Sequence, residues 1–150
     1  MEKEFIPYEL ALELKELGFD EPCFMFYEQG TSSKYLQKGI VDDYWGDYSE
    51  PRDWNSIPHK PYKPFCQCIS APLYQQAFRW FREEYGLFSN LDVIDNCATF
   101  YYEYQMVNHK DTEFYHDGHQ ARRLWDNLKF KTYEEAELEC LKKLIEIVKK

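Results

Sequence analysis

The sequence has no apolar run approaching the roughly 20 residues needed to cross a bilayer, and its opening Met1-Glu2-Lys3-Glu4 has no basic segment leading into an apolar one. The expectation is a soluble, cytoplasmic chain with no membrane partner. It is also short of positive charge: 18 lysines and arginines stand against 27 aspartates and glutamates, a formal net charge of -9. That balance excludes general binding to a long nucleic acid, whose affinity comes from neutralised phosphates. Five cysteines, Cys23, Cys66, Cys68, Cys97 and Cys140, make an odd set without a secretion signal, which argues for reduced thiols over a disulfide framework. There is no glycine-rich phosphate loop, nucleophile elbow or metalloprotease motif, and no internal repeat or low-complexity tract. Phosphate-loop enzymes, elbow hydrolases and solenoids are therefore set aside.

What is present in quantity is aromatic. Thirteen Tyr, 11 Phe and 4 Trp make up 19% of the 150 residues, more than a core of this size easily hides. Some rings should therefore sit at a surface or pocket, where Tyr and Trp suit a partner that is apolar on one side and wet on the other. The length fits one domain with one core. Charge is uneven along it: positions 1–50 hold 4 basic and 12 acidic residues, 51–100 hold 5 and 5, and 101–150 hold 9 and 10. All four histidines lie beyond the acidic first third, so a small anion can still find a local positive site there.

The densest helical pattern is Ser70 to Leu87. Tyr74, Ala77, Phe78, Phe81 and Tyr85 recur at three- and four-residue steps, with Gln75, Gln76, Arg79 and Glu83 on the other face. Ser70 or Ala71 can cap it, Pro72 fits its first turn and Gly86 suits its left-handed stop. Pro7 to Leu17 predicts a first helix with Leu10, Ala11, Leu14 and Leu17 inward and Gly18 just past its end. A third opens with Thr132-Tyr133-Glu134-Glu135, a capping box, and buries Tyr133, Ala136, Cys140, Leu141, Leu144, Ile147 and Val148.

Between the helices, Cys23 to Tyr27 reads as a strand, with a hairpin tip at Gln29 to Ser33 and a partner strand within Lys34 to Val41. Phe65 to Ile69, Leu91 to Asp95 and Ala98 to Val107 read as further strands, Glu113 to His116 as a short one, and Lys129 to Lys131 as a return to the sheet. Gly118 to Leu128 is expected to form a brief helix carrying Arg122 and Arg123. The segment from about residue 42 to 64 is rich in Pro and Trp without a helical period, which predicts a long ordered loop packing its own rings. Together these give one α+β domain, an antiparallel sheet of about four or five strands packed by three main helices.

Three stretches carry a resemblance: Glu4-Phe5-Ile6-Pro7-Tyr8-Glu9-Leu10-Ala11-Leu12-Glu13-Leu14-Lys15-Glu16-Leu17-Gly18-Phe19-Asp20-Glu21-Pro22-Cys23, Ala71 to Arg82, and Tyr133-Glu134-Glu135-Ala136-Glu137 with Cys140 to Val148. Over roughly half the chain the pattern resembles a widespread group of small proteins of tailed bacteriophages and their bacterial hosts. The resemblance carries over no catalytic residue and no cofactor. It implies a setting, the host cytoplasm, in which small accessory proteins act by binding a host protein or a signalling molecule. One such mode is the sponge, an oligomer that sequesters a nucleotide immune signal without cleaving it.

The candidate site follows from chemistry. His116, His119, Arg122 and Arg123 form the most cationic patch of an acidic chain. Arginine forks match phosphate oxygens, and Trp45, Trp54 and Tyr62 of the long loop can stack on a base. Arg79, off the apolar face of the central helix, can join them or merely offset Glu83 and Glu84. The bland alternative is a solvated face pairing with the acids of the first third. Cys66 and Cys68 with His109, His116 and His119 offer thiolate and imidazole, but no second close Cys pair exists, so strand cysteines are preferred to a metal centre. A small anionic ligand such as a nucleotide is the expected partner of a non-catalytic homo-oligomer. A protein-binding adaptor or inhibitor of a host protein is the alternative, and a nucleotide-acting enzyme using His116 or His119 the second. Leu12, Leu138 and Ile145, off the main stripes of the end helices, mark the expected self-association surface.

Overall fold

The computed structural model describes residues 2–29, 36–38, 50–57, 67–95, 100–108, 122–125 and 129–150. Their order is α1 (Tyr8–Glu16), β1 (Met25–Gln29), β2 (Leu36–Lys38), β3 (Gln67–Ala71), α2 (Tyr74–Tyr85), β4 (Leu87–Asp95), β5 (Phe100–Asn108), β6 (Arg122–Trp125) and α3 (Tyr133–Lys149), with single 3-10 turns at Glu2–Glu4 and Trp54–Ser56. Two compact units are defined, Met1–Gln76 and Ala77–Lys150, the division falling inside α2.

In the first unit β1 lies between its two partners, in the order β2-β1-β3, all antiparallel. The hairpin of β1 with β2 is the one expected from the sequence. Helix α1 buries Leu10, Ala11 and Leu14. Gly18 ends it at φ +93, which an L side chain adopts only with strain, and the Phe19 N–H returns to the Leu14 carbonyl at 3.0 Å.

The free edge of β3 organises this unit. On a strand, alternate residues turn their N–H and C=O away from the paired neighbour, here residues 68, 70 and 72. Each of these positions is met by a substitute for a strand. The Lys15 ammonium donates to the Cys68 carbonyl at 2.9 Å, the Ser70 N–H donates to Asn55 Oδ1 at 3.0 Å, and the Ile6 N–H donates to the Pro72 carbonyl at 3.0 Å.

Residues 50–57 close over the same edge. Arg52 and Cys23 exchange backbone hydrogen bonds of 2.7 and 3.1 Å, the Trp54 N–H donates to Ser70 Oγ at 3.0 Å, and Asn55 Nδ2 donates to the Phe19 carbonyl at 2.7 Å. The part of the expected long loop that is described is thus ordered around a tryptophan; the remainder of 42–64 lies outside the described residues.

In the second unit the order is β4-β5-β6, again antiparallel, with β4 and β5 paired from Leu87↔Asn108 to Asp95↔Phe100. Among the described residues the strands form two antiparallel sheets of three rather than the expected single sheet of four or five. Phe130 bridges Tyr102, the expected return to the sheet. Residues 122–125 are a strand, not part of a helix: pairing with β5 satisfies their backbone, and that tertiary ladder outweighs a weak local preference. The other residues of 109–121 and 126–128 lie outside the described set.

The helices of this unit follow their apolar stripes in part, with Phe78, Tyr85, Ile147 and Val148 only half-buried. In α2, Ala77 and Phe81 are buried as expected, but so is Trp80, which the stripe omitted. In α3, Tyr133, at the first helical position, is 46% exposed, while Ile145, expected at a self-association surface, is 2% exposed. Leu12 and Leu138 are half-buried. The capping box forms with one variation: Thr132 Oγ1 accepts from the Glu135 N–H at 3.2 Å, and the Glu135 carboxylate accepts from the Lys131 N–H at 3.1 Å instead of from Thr132.

Two expected outcomes follow for urea denaturation. Asn55→Ala leaves the Ser70 N–H and the Phe19 carbonyl without their partner and lowers stability by about 2 kcal/mol; an unchanged midpoint would mean that other groups carry the β3 edge. Thr132→Ala removes the α3 cap at a cost of about 1 kcal/mol, recovered by Thr132→Ser.

Candidate ligand-binding site

Of the residues expected at a site, Trp45, Tyr62, His116 and His119 lie outside the described residues. Trp54 belongs to the first unit, 3% exposed, with its ring stacked on Phe26 at 4.3 Å between centroids and its indole N–H donating to the Cys23 carbonyl at 2.6 Å. Both its face and its polar handle are engaged by the framework, so it stands as a core residue.

Arg79, Arg122 and Arg123 belong to the second unit. Arg79 is exposed on α2. Arg122 and Arg123 follow one another in β6, opposite Asn108 and Val107 of β5. Successive strand positions belong to opposite sheet faces, so 122 and 123 are not two points on one surface. The described residues therefore show a β-strand carrying two consecutive arginines, while Trp54 belongs to the other unit.

Three features escaped the sequence reading. The Arg82 guanidinium lies 6.0 Å from the centre of the Phe88 ring, both exposed, a cation–π contact that Gly86 makes possible by turning the chain at φ +68. Burial holds the Lys15 amine below its ordinary value, opposed by the charges of Cys68 and Asp53. Burial also pushes the Cys23 thiol up to about 12, helped by the charges of Glu21 and Asp53, and the Cys140 thiol up to about 12, helped by Glu137 and opposed by a Ser89 hydrogen bond. Only the buried stripe of α3 signalled Cys140 in advance.

Cys68 is buried as well, and among the described residues no group of three or more His, Cys, Asp or Glu side chains is arranged to hold a metal ion. A thiol kept protonated is a poor nucleophile and a poor metal ligand, so Cys23 and Cys140 read as packing residues. None of the described helices is long and apolar enough to cross a membrane. The fold defines an α+β chain built on antiparallel sheets. Comparison with family models, with curated proteins and with solved structures finds no match.

The raised thiols give a signed pH dependence. From pH 9.0 upward the unfolded chain loses its thiol protons while the folded chain keeps them to about 12. The buried neutral thiols thus contribute fully below pH 9 and their contribution is lost as pH rises through that window. Cys140→Ala should flatten the decline of stability above pH 9 by up to about 1.4 kcal/mol per pH unit, measured by urea denaturation at stepped pH. An identical slope in the variant would show that the folded thiol titrates normally.

Proposed function

We propose that this chain is a non-catalytic phage accessory protein that acts in the host cytoplasm as a homo-oligomer, sequestering a small anionic ligand such as a nucleotide immune signal. The observation that carries this reading is the pair Arg122 and Arg123 in β6, two consecutive guanidinium groups in a chain of net charge -9. A polyanion would be repelled by such a chain. A compact phosphate ester meets only a local arginine, whose forked donors match its oxygens. The buried, protonated thiols of Cys23 and Cys140 support binding without covalent chemistry. His116 and His119 remain part of the proposed patch, with Arg79 as a further member.

A protein-binding adaptor is the second reading. Phe24, 61% exposed beside the Cys23–Arg52 bridge in the acidic first third, supports it.

Thermal denaturation against a panel of cyclic and linear nucleotides tests the first reading, because a ligand bound only by the folded chain raises Tm by mass action. Strand alternation adds a sharper outcome. Arg122→Ala and Arg123→Ala should act unequally, one weakening affinity about 10- to 100-fold and the other by little, since only one position shares the ligand's face. No Tm rise with any anionic ligand would favour the adaptor. Recovery of a chemically altered nucleotide after denaturation would favour the enzyme.

A further inference from the structure

Strand β4 is the longest edge in the described residues. It runs for nine residues, Leu87-Phe88-Ser89-Asn90-Leu91-Asp92-Val93-Ile94-Asp95, pairs with β5 along its whole length, and has no other strand beside it among the described residues. It carries no proline and no lysine, the residues that ordinarily discourage edge pairing. Phe88 is 40% and Val93 59% exposed. β3 differs: its outward groups at 68, 70 and 72 are met by Lys15, Asn55 and Ile6.

The geometry points to self-association of this chain through β4, antiparallel to the β4 of a second copy about a two-fold axis at Leu91. This assigns a surface to the homo-oligomer of the proposed function, in place of the helix positions of which Ile145 is buried. The argument is one of register. A two-fold axis normal to the sheet keeps each side chain on its own face, so the pairing can shift only in steps that preserve the pleat. With the axis at Leu91, Leu91 meets Leu91, Ser89 meets Val93, Phe88 meets Ile94, Asn90 meets Asp92 and Leu87 meets Asp95.

Leu91 meets its own mate, Phe88 meets Ile94 and Asn90 meets Asp92, no acid opposes an acid, and the one acid–apolar pair, Leu87 with Asp95, falls at the ends of the ladder. Moving the axis to Asp92 sets two carboxylates directly against each other; moving it to Asn90 sets Asp92 against Phe88. Both alternatives are disfavoured by cross-strand pairing. The Asn90–Asp92 complement is already realised within one chain, where Asn90 Nδ2 donates to Asp92 Oδ1 at 2.8 Å. The amide carries two hydrogens, so the same side chain can serve the Asp92 of the second copy. Two sheets of three strands then become one of six, with both α3 helices on the same face.

Sedimentation equilibrium of the full chain should show a monomer–dimer equilibrium. Asn90→Asp, which sets like charges across the axis twice, should raise its dissociation constant about tenfold. The exchange Asn90→Asp with Asp92→Asn should restore it, which a merely structural effect at residue 90 would not do. Mild oxidation of Leu91→Cys should link two copies through the introduced thiols, since residues meeting on the axis have Cα atoms about 4.5–5.5 Å apart. Val93→Cys, about 13 Å from its symmetry mate, should not link. A monomer at every concentration, a dimer indifferent to Asn90→Asp, or equal linking at 91 and 93 would overturn the assignment. Nucleotide-induced Tm shifts measured on the same variants report the ligand reading separately: loss of dimer with the shift retained counts against β4 alone.

Discussion

The outward edge of β3 is the constraint on which the first unit is built. A strand at the end of a sheet presents N–H and C=O groups that must find partners once buried, and here three chain segments remote from one another in sequence supply them. Lys15 comes from the last turn of α1, Asn55 from the turn at 54–56, and Ile6 from the segment that leads into α1. Sealing one edge fixes the position of a helix, a loop and the N-terminal segment together. Trp54 fills the space beneath, stacked on Phe26 of the central strand.

The second unit solves the same problem with long pairing. β4 and β5 match over nine residues each, and α3 lays Ala136, Cys140, Leu141, Leu144 and Ile145 inward. Tyr104 stacks on Phe130 with centroids 5.9 Å apart, and Tyr102 meets Tyr133 edge-on at 6.1 Å. Part of the aromatic surplus seen in the composition is thus spent in ring pairs inside and at the rim of the fold rather than at a ligand pocket. The two units differ in how their edges stand: β3 is met by side chains and backbone, whereas β4 has no second strand beside it among the described residues.

Legibility in the sequence tracked how local each determinant is. Helix ends marked by Thr132, Gly18 and Gly86 act through neighbours in sequence and lie where expected, whereas the cap expected at Ser70 or Ala71 does not form, because both residues belong to β3 and α2 begins at Tyr74. The hairpin of β1 with β2 and the ladder of β5 were legible from alternation and ring content. Partition into two sheets was not, because strand order depends on pairing between segments far apart. The helix expected over Arg122 and Arg123 failed for the same reason: β5 supplies the hydrogen bonds, and nothing in residues 118–128 announces it. Trp54 was nominated for a site on chemistry alone, and its Cys23 and Phe26 partners, 31 and 28 positions away, could not be read from its neighbours. Arg79 was read as off the apolar face of α2, and it is exposed there.

Gly18 carries one more implication. It holds φ at +93, yet a Cβ built there meets no atom within 4 Å, so the position is restricted by chirality and by nothing else. A mirror-image residue such as D-alanine has its preferred backbone region at positive φ. Introduced by chemical ligation, it would remove freedom from the unfolded chain at the exit of α1 while matching the backbone conformation the folded chain already holds there.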